Sequence, residues 1–157
     1  AAIEGTAARL AATAATSDDL EKLRENMVKV GQAVANGDVS TAVPLHLEYH
    51  AQIVMMSRNN DLIAASSQAD ALIRRFRRIS AENFGRLNQA IASHKAIFDA
   101  MQKGDADRCE WLMREDVLGG GAALLQVLQV FFGVDKITPS VSMVLKHAGA
   151  YQQAQST

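Results

Sequence analysis

The chain has 157 residues, with 16 Lys and Arg against 17 Asp and Glu, for a formal net charge of −1. That length fits one domain with a sizeable core, and the even charge excludes a chain that grips nucleic acid through a basic excess. Alanine occurs 27 times against 12 Gly plus Pro, and 48% of the residues are hydrophobic, which excludes wholesale disorder and argues against an all-β fold.

A first short helix carries Ile3, Ala7, Leu10, Ala11 and Ala14 at helical spacing. Thr16-Ser17-Asp18-Asp19 interrupts it as an N-cap cluster. The second helix carries Leu20, Leu23, Met27, Val30 and Val34 and ends near Asn36-Gly37, a left-handed C-cap signal. Asp38 to Ser40 cap a third, with Pro44 in its first turns and a stripe through Val43, His46, Leu47, His50, Ile53 and Val54. Ser57 to Asp61 break the pattern. A long fourth helix follows, with Leu62, Ala65, Ala69, Leu72, Ile73, Phe76 and Ile79. The stretch 80–88 is ambiguous, and Gly85 marks a bend or a helix end. The fifth helix carries Leu87, Ile91, His94, Ile97, Phe98 and Met101 and stops at Lys103-Gly104. Asp105 caps a sixth, with Cys109, Leu112, Met113, Asp116 and Val117. Gly119 to Gly121 are expected to break or kink it before a last apolar helix, Ala122 to Phe132. After Gly133 the chain is less regular, and Gln152 to Thr157 read as a tail. The pattern predicts an all-α antiparallel bundle of six or seven helices with a central polar pocket.

The single cysteine, Cys109, excludes an intrachain disulfide or a multi-cysteine zinc cluster and reads as core. The longest uncharged run, Val117 to Val134, is broken by glycines and glutamines and is a poor membrane span. With no basic leader at its start, the expectation is a cytoplasmic protein.

Chemistry is concentrated in a few polar residues on apolar stripes. His46 and His50 stand four apart, so on a helix they face one way, about 6 Å apart along the axis. His94 is in register with Leu87, Ile91, Ile97 and Met101, and Asp116 with Cys109, Leu112 and Met113. A buried carboxylate must be paired, protonated or bound to a metal. Three imidazoles and one carboxylate suit a divalent cation; the other reading is a buried His–Asp hydrogen-bond network. Arg74, Arg75, Arg77 and Arg78 form a basic run, from which one side chain turned inward can clamp an anion. His147 lies off every stripe.

The chain resembles the effector-binding FCD domain of GntR-type regulators of the FadR subfamily. Ile3-Glu4 through Ala12 and Thr16 to Leu23 are similar to that domain's opening segment. His46-Leu47-Glu48-Tyr49-His50 falls on its D-x-x-F-H motif and Ser57-Arg58-Asn59-Asn60-Asp61-Leu62 on its S-G-N-x-x-L turn. Ser93-His94 through Gly104-Asp105 falls on E-H-x-x-I-x-x-A-I-x-x-G-D, and Met113-Arg114-Glu115-Asp116 on M-x-x-H. The likeness covers about residues 3 to 130.

The resemblance implies a metal held by His46, His50, His94 and Asp116. His46 stands where the family has Asp, and Asp116 where it has His, so the exchange keeps three imidazoles and one carboxylate. Zinc is the first choice of ion, with nickel, manganese or iron as alternatives. The resemblance further implies a small carboxylate effector beside the metal, with Arg74 or Arg78 as its cationic partner and Asn59 in the pocket or capping the fourth helix. It implies a homodimer that meets operator DNA only through an N-terminal winged helix-turn-helix domain absent from this chain, an effector domain spanning 1–132, an irregular segment over 133–157, and no enzyme activity. The competing readings are a metal-dependent helical-bundle enzyme and a metal-free helical dimerisation domain.

Overall fold

The computed structural model describes residues 1–81 and 86–132, with the side chains of 69–73, 76–77 and 127–132 left aside. Six helices fill the described residues: α1 (Ala2–Ala14), α2 (Ser17–Ala35), α3 (Val39–Met56), α4 (Asn60–Ala81), α5 (Arg86–Gln102) and α6 (Ala106–Phe132). The family-wide expectation of an all-α bundle is met.

The helix ends follow the local chemistry. Thr16 accepts from the Asp19 amide at 3.2 Å while the Asp19 carboxylate accepts from the Thr16 amide at 2.9 Å, a reciprocal capping box at the start of α2. Gly37 closes α2 with φ 68°, and the Asp38 amide returns to Ala33 O at 2.9 Å. Asp38 then caps α3 by accepting from the Thr41 amide at 3.0 Å. Pro44 is the sixth residue of α3. The helical hydrogen bond it removes lies on an exposed side of the helix, with both Ser40 and Pro44 exposed.

The expected break at Gly119-Gly120-Gly121 is not there: α6 runs to Phe132 as one helix, and the last apolar segment is its continuation rather than a separate helix. None of the three has positive φ, so the permissiveness of glycine is not used for a turn. Packing outweighs the weak propensity, because Ser80 Oγ donates to Gly120 O at 3.0 Å and holds α4 against α6. The ambiguous 80–88 stretch resolves at its two ends, with Ser80 and Ala81 in α4 and Arg86 to Asn88 in α5. Gly85, His147 and the tail lie outside the described residues.

The core has two parts. One cluster gathers Ala8, Ala11, Leu23, Tyr49, Ile53, Ile97, Phe98, Cys109 and Met113; the other gathers Ala33, Ala42, Val43, Ala81 and Leu87. Along α3, Val43 belongs to the second cluster and Ile53 to the first, with His46 and His50 between them. Along α5, Leu87 and Ile97 likewise flank His94. A polar layer therefore crosses the bundle between two apolar ones.

Two glycine substitutions test these assignments in opposite directions. Gly37→Ala places a Cβ at positive φ and lowers stability by about 1–2 kcal/mol. At Gly119 an added Cβ meets nothing within 4 Å, so Gly119→Ala raises stability by roughly 0.5–1 kcal/mol. Urea unfolding checks both; loss of stability at Gly119 means the helix is broken there.

Candidate metal centre

Six polar side chains meet in the middle layer, none more than 7% exposed: Glu4, His46, His50, Arg86, His94 and Asp116. Helix α3 delivers His46 and His50 one turn apart. Helix α5 brings Arg86 and His94 to one face through the same register as Ala90 and Ile97. Helix α6 supplies Asp116, and α1 supplies Glu4.

The three imidazoles close on one point. His46 and His94 stack with ring centres 5.0 Å apart, and His50 stands edge-on to them at 5.0 and 5.3 Å. One ring nitrogen from each lies within 4.8 Å of the others. Asp116 Oδ2 lies 3.3 Å from His50 Nε2. Two atoms bound tetrahedrally to one zinc-sized ion at about 2.1 Å stand roughly 3.4 Å apart, so this pair has the spacing of two ligands.

Three of these side chains are held from behind. Arg86 Nη2 donates to Asp116 Oδ1 at 2.7 Å and to the Asp116 carbonyl at 2.8 Å. That occupies one carboxylate oxygen and leaves Oδ2 turned to the histidines. His50 Nδ1 sits 3.1 Å from Glu4 Oε2. With the carboxylate accepting, Nδ1 carries the proton and Nε2 is left as a lone-pair donor. Tyr49 stacks on His94 at 3.7 Å, and its hydroxyl donates to the His94 carbonyl at 2.9 Å.

Hydrogen bonds do not satisfy this layer. Both ring nitrogens of His94, His50 Nε2 and Asp116 Oδ2 are buried without a hydrogen-bond partner. Each such group costs about 1–3 kcal/mol. A closed His–Asp network would have used them; a cation answers His50 Nε2 and Asp116 Oδ2 together. Burial holds the His94 imidazole well below the usual pKa of 6.5, so it is neutral, the form that binds metals. Burial pushes the Asp116 carboxyl up, but the His50 contact and the Arg86 charge outweigh it and keep it ionised.

The centre opens on a cavity of about 200 Å³. His46, His50 and Asp116 form its polar side together with Glu4 and Arg86, while Val117, Gly120 and Leu124 of α6 form an apolar wall.

The structure therefore brings His46, His50, His94 and Asp116 together. Asn59 caps α4, its Oδ1 accepting from the Leu62 amide at 3.0 Å, and it does not line the cavity. Arg74 and Arg78 are exposed on α4 and do not line it either. The arginine at the cavity is Arg86, because the inward face of α5 begins one residue before the stripe read from Leu87. Cys109 is buried, its thiol pushed up to about 12 by that burial, as a core residue should be. Glu4, Tyr49 and Arg86 are absent from the sequence-derived site. Glu4 shares the buried face of Ala7, Ala8 and Ala11, and that register is the signal that marks it.

Comparison with known proteins places this chain in a family. The family model of the FCD domain matches residues 1–118. Among curated proteins none matches the chain. No helix of the described residues is long and apolar enough to cross a membrane.

Two outcomes follow for the metal-free protein. His94 is neutral in the fold and protonates near 6.5 when unfolded, so the unfolded chain takes up the proton first as pH falls. Stability then declines below that pH, and His94→Gln flattens the decline as pH falls below about 6.5 in urea titrations. Arg86→Met leaves the Asp116 carboxylate buried without its cation and lowers stability by about 3–5 kcal/mol at neutral pH. A loss under about 1 kcal/mol there contradicts the buried ion pair.

Proposed function

Because the chain belongs to the FCD domain family, the effector-binding domains of GntR/FadR-type transcription regulators, we propose that it senses a small organic acid beside a divalent metal ion. His46, His50, His94 and Asp116 are the residues that would hold the ion. The observation that carries this reading is the set of buried donor atoms left without hydrogen-bond partners at the edge of a cavity. Neutral imidazoles with one carboxylate suit zinc first, with nickel, manganese or iron fitting the same set. When bound, such an ion supplies a positive centre to which a carboxylate oxygen can coordinate.

The protein's own residues narrow the effector. A cavity of about 200 Å³ favours a small acid over a bulky one. Arg86 is the cation among the described lining residues, and its guanidinium suits a second contact to the acid's oxygens. Val117 and Leu124 face the acid's apolar part.

In the regulator, this domain acts as a homodimer in the cytoplasm and reaches operator DNA through a linked winged-helix domain. Acid binding favours one arrangement of the two DNA-binding domains over another, and it can shift that balance only by the difference in its affinity for the two. The domain is a sensor and turns over no substrate.

Elemental analysis and thermal melts with a panel of short carboxylates test the reading. One ion per chain is expected, with acid-induced stabilisation that chelation or Arg86→Met abolishes. An acid at a hundredfold excess over its Kd stabilises by about 2.7 kcal/mol. Absence of stoichiometric metal, or turnover of the bound acid, overturns it.

A further inference from the structure

Glu4 is a buried carboxylate on a helix face otherwise made of small residues, Ala7, Ala8 and Ala11. A helix N-terminus favours an acidic residue in its first turn, and an exposed Glu4 would meet that preference equally well. Burial at 7% exposure is costly for a carboxylate and calls for a dedicated partner. That partner is His50: Glu4 Oε2 lies 3.1 Å from His50 Nδ1, across 46 residues of sequence and on a different helix. The other ring nitrogen of His50 faces Asp116 Oδ2 at 3.3 Å. Glu4 thus stands directly behind one ligand, as Arg86 stands behind Asp116.

We infer that Glu4 is the positioning residue of the metal centre, and that through it metal loading fastens α1 to α3. The inference rests on the metal reading above. Accepting the Nδ1 proton fixes His50 in the tautomer that presents Nε2, locks the ring's orientation and raises its basicity. The coupling also runs the other way. A positive charge at Nε2 makes the Nδ1–H a stronger donor, so the bond to Glu4 tightens when the site is loaded. Helix α1 is then bound by its first turn to the state of the centre, while Ala1 and Glu4 line the cavity where the effector is expected. Metal occupancy therefore reaches the first helix without passing through the rest of the core.

Competition with a chromophoric chelator for Zn²⁺ or Co²⁺ tests this on the wild type, Glu4→Gln and Glu4→Leu. Glu4→Gln can still accept the hydrogen bond from Nδ1–H but lacks the charge, and is expected to bind about tenfold more weakly; Glu4→Leu loses both and falls by about 10–100-fold. Hydrogen exchange supplies the second readout: metal slows exchange of the α1 amides in the wild type and not in Glu4→Leu. A merely structural Glu4 lowers the melting temperature of the metal-free protein and leaves the metal affinity within about twofold of wild type, and that result overturns the inference. Metal slowing α1 exchange equally in Glu4→Leu overturns it as well. If Glu4→Leu does not fold, the affinity of the near-isosteric Glu4→Gln decides. A wild type that binds neither ion overturns the metal reading and this inference with it, whereas a loaded wild type with unchanged variants overturns this inference alone.

Discussion

Between the two apolar clusters, His50 Nε2 and Asp116 Oδ2 face each other at 3.3 Å inside the bundle, while the other ring nitrogen of His50 faces Glu4 Oε2 at 3.1 Å. Both atoms are buried, and neither completes a hydrogen bond. His94 adds a ring that is neutral through burial and has no partner at either nitrogen. An apolar layer in this place would cost nothing of the kind. The bundle keeps the polar layer, and the helices around it are arranged to hold its members still.

That holding explains much of the architecture. Arg86 fixes Asp116 from α5, Tyr49 fixes His94 from α3, and Glu4 fixes His50 from α1. Each helix of the site thus carries either a ligand side chain or the group that aims one. The uninterrupted α6 serves the same end. Gly120 and Gly121 keep the helix slim where Arg86 passes Gly120 and where the cavity opens, while Asp116 sits one turn before Gly120 on the inward face. The proposed sensor site needs this combination of rigidly held side chains and one open side.

Much of this was legible in the sequence, and the misses have physical causes. His46, His50, His94 and Asp116 each sit in register with unmistakable apolar neighbours, so periodicity alone turns them inward. Glu4 obeys the same rule, but its stripe is built of alanines, which mark a buried face less sharply than leucines do. Arg86 was hidden because it opens α5, next to a stretch whose helical register the sequence leaves ambiguous. Arg74 and Arg78 drew notice through charge density, yet clustered cations favour solvent, and both are exposed. Gly119 to Gly121 read as a break because local propensity favours one; packing against Ser80 and Arg86 overrides it. Which groups stand behind the ligands is a matter of contacts between distant helices, and no local pattern encodes it.

Anomalous diffraction from crystals of the metal-loaded protein, recorded at the absorption edge of the bound ion, tests the central claim most directly. A single strong peak per chain is expected, enclosed by His46, His50, His94 and Asp116, with Glu4 still on His50 Nδ1 and Arg86 still on Asp116 Oδ1. The absence of a peak there, with the same side chains closed on one another by hydrogen bonds or on ordered water, would contradict it.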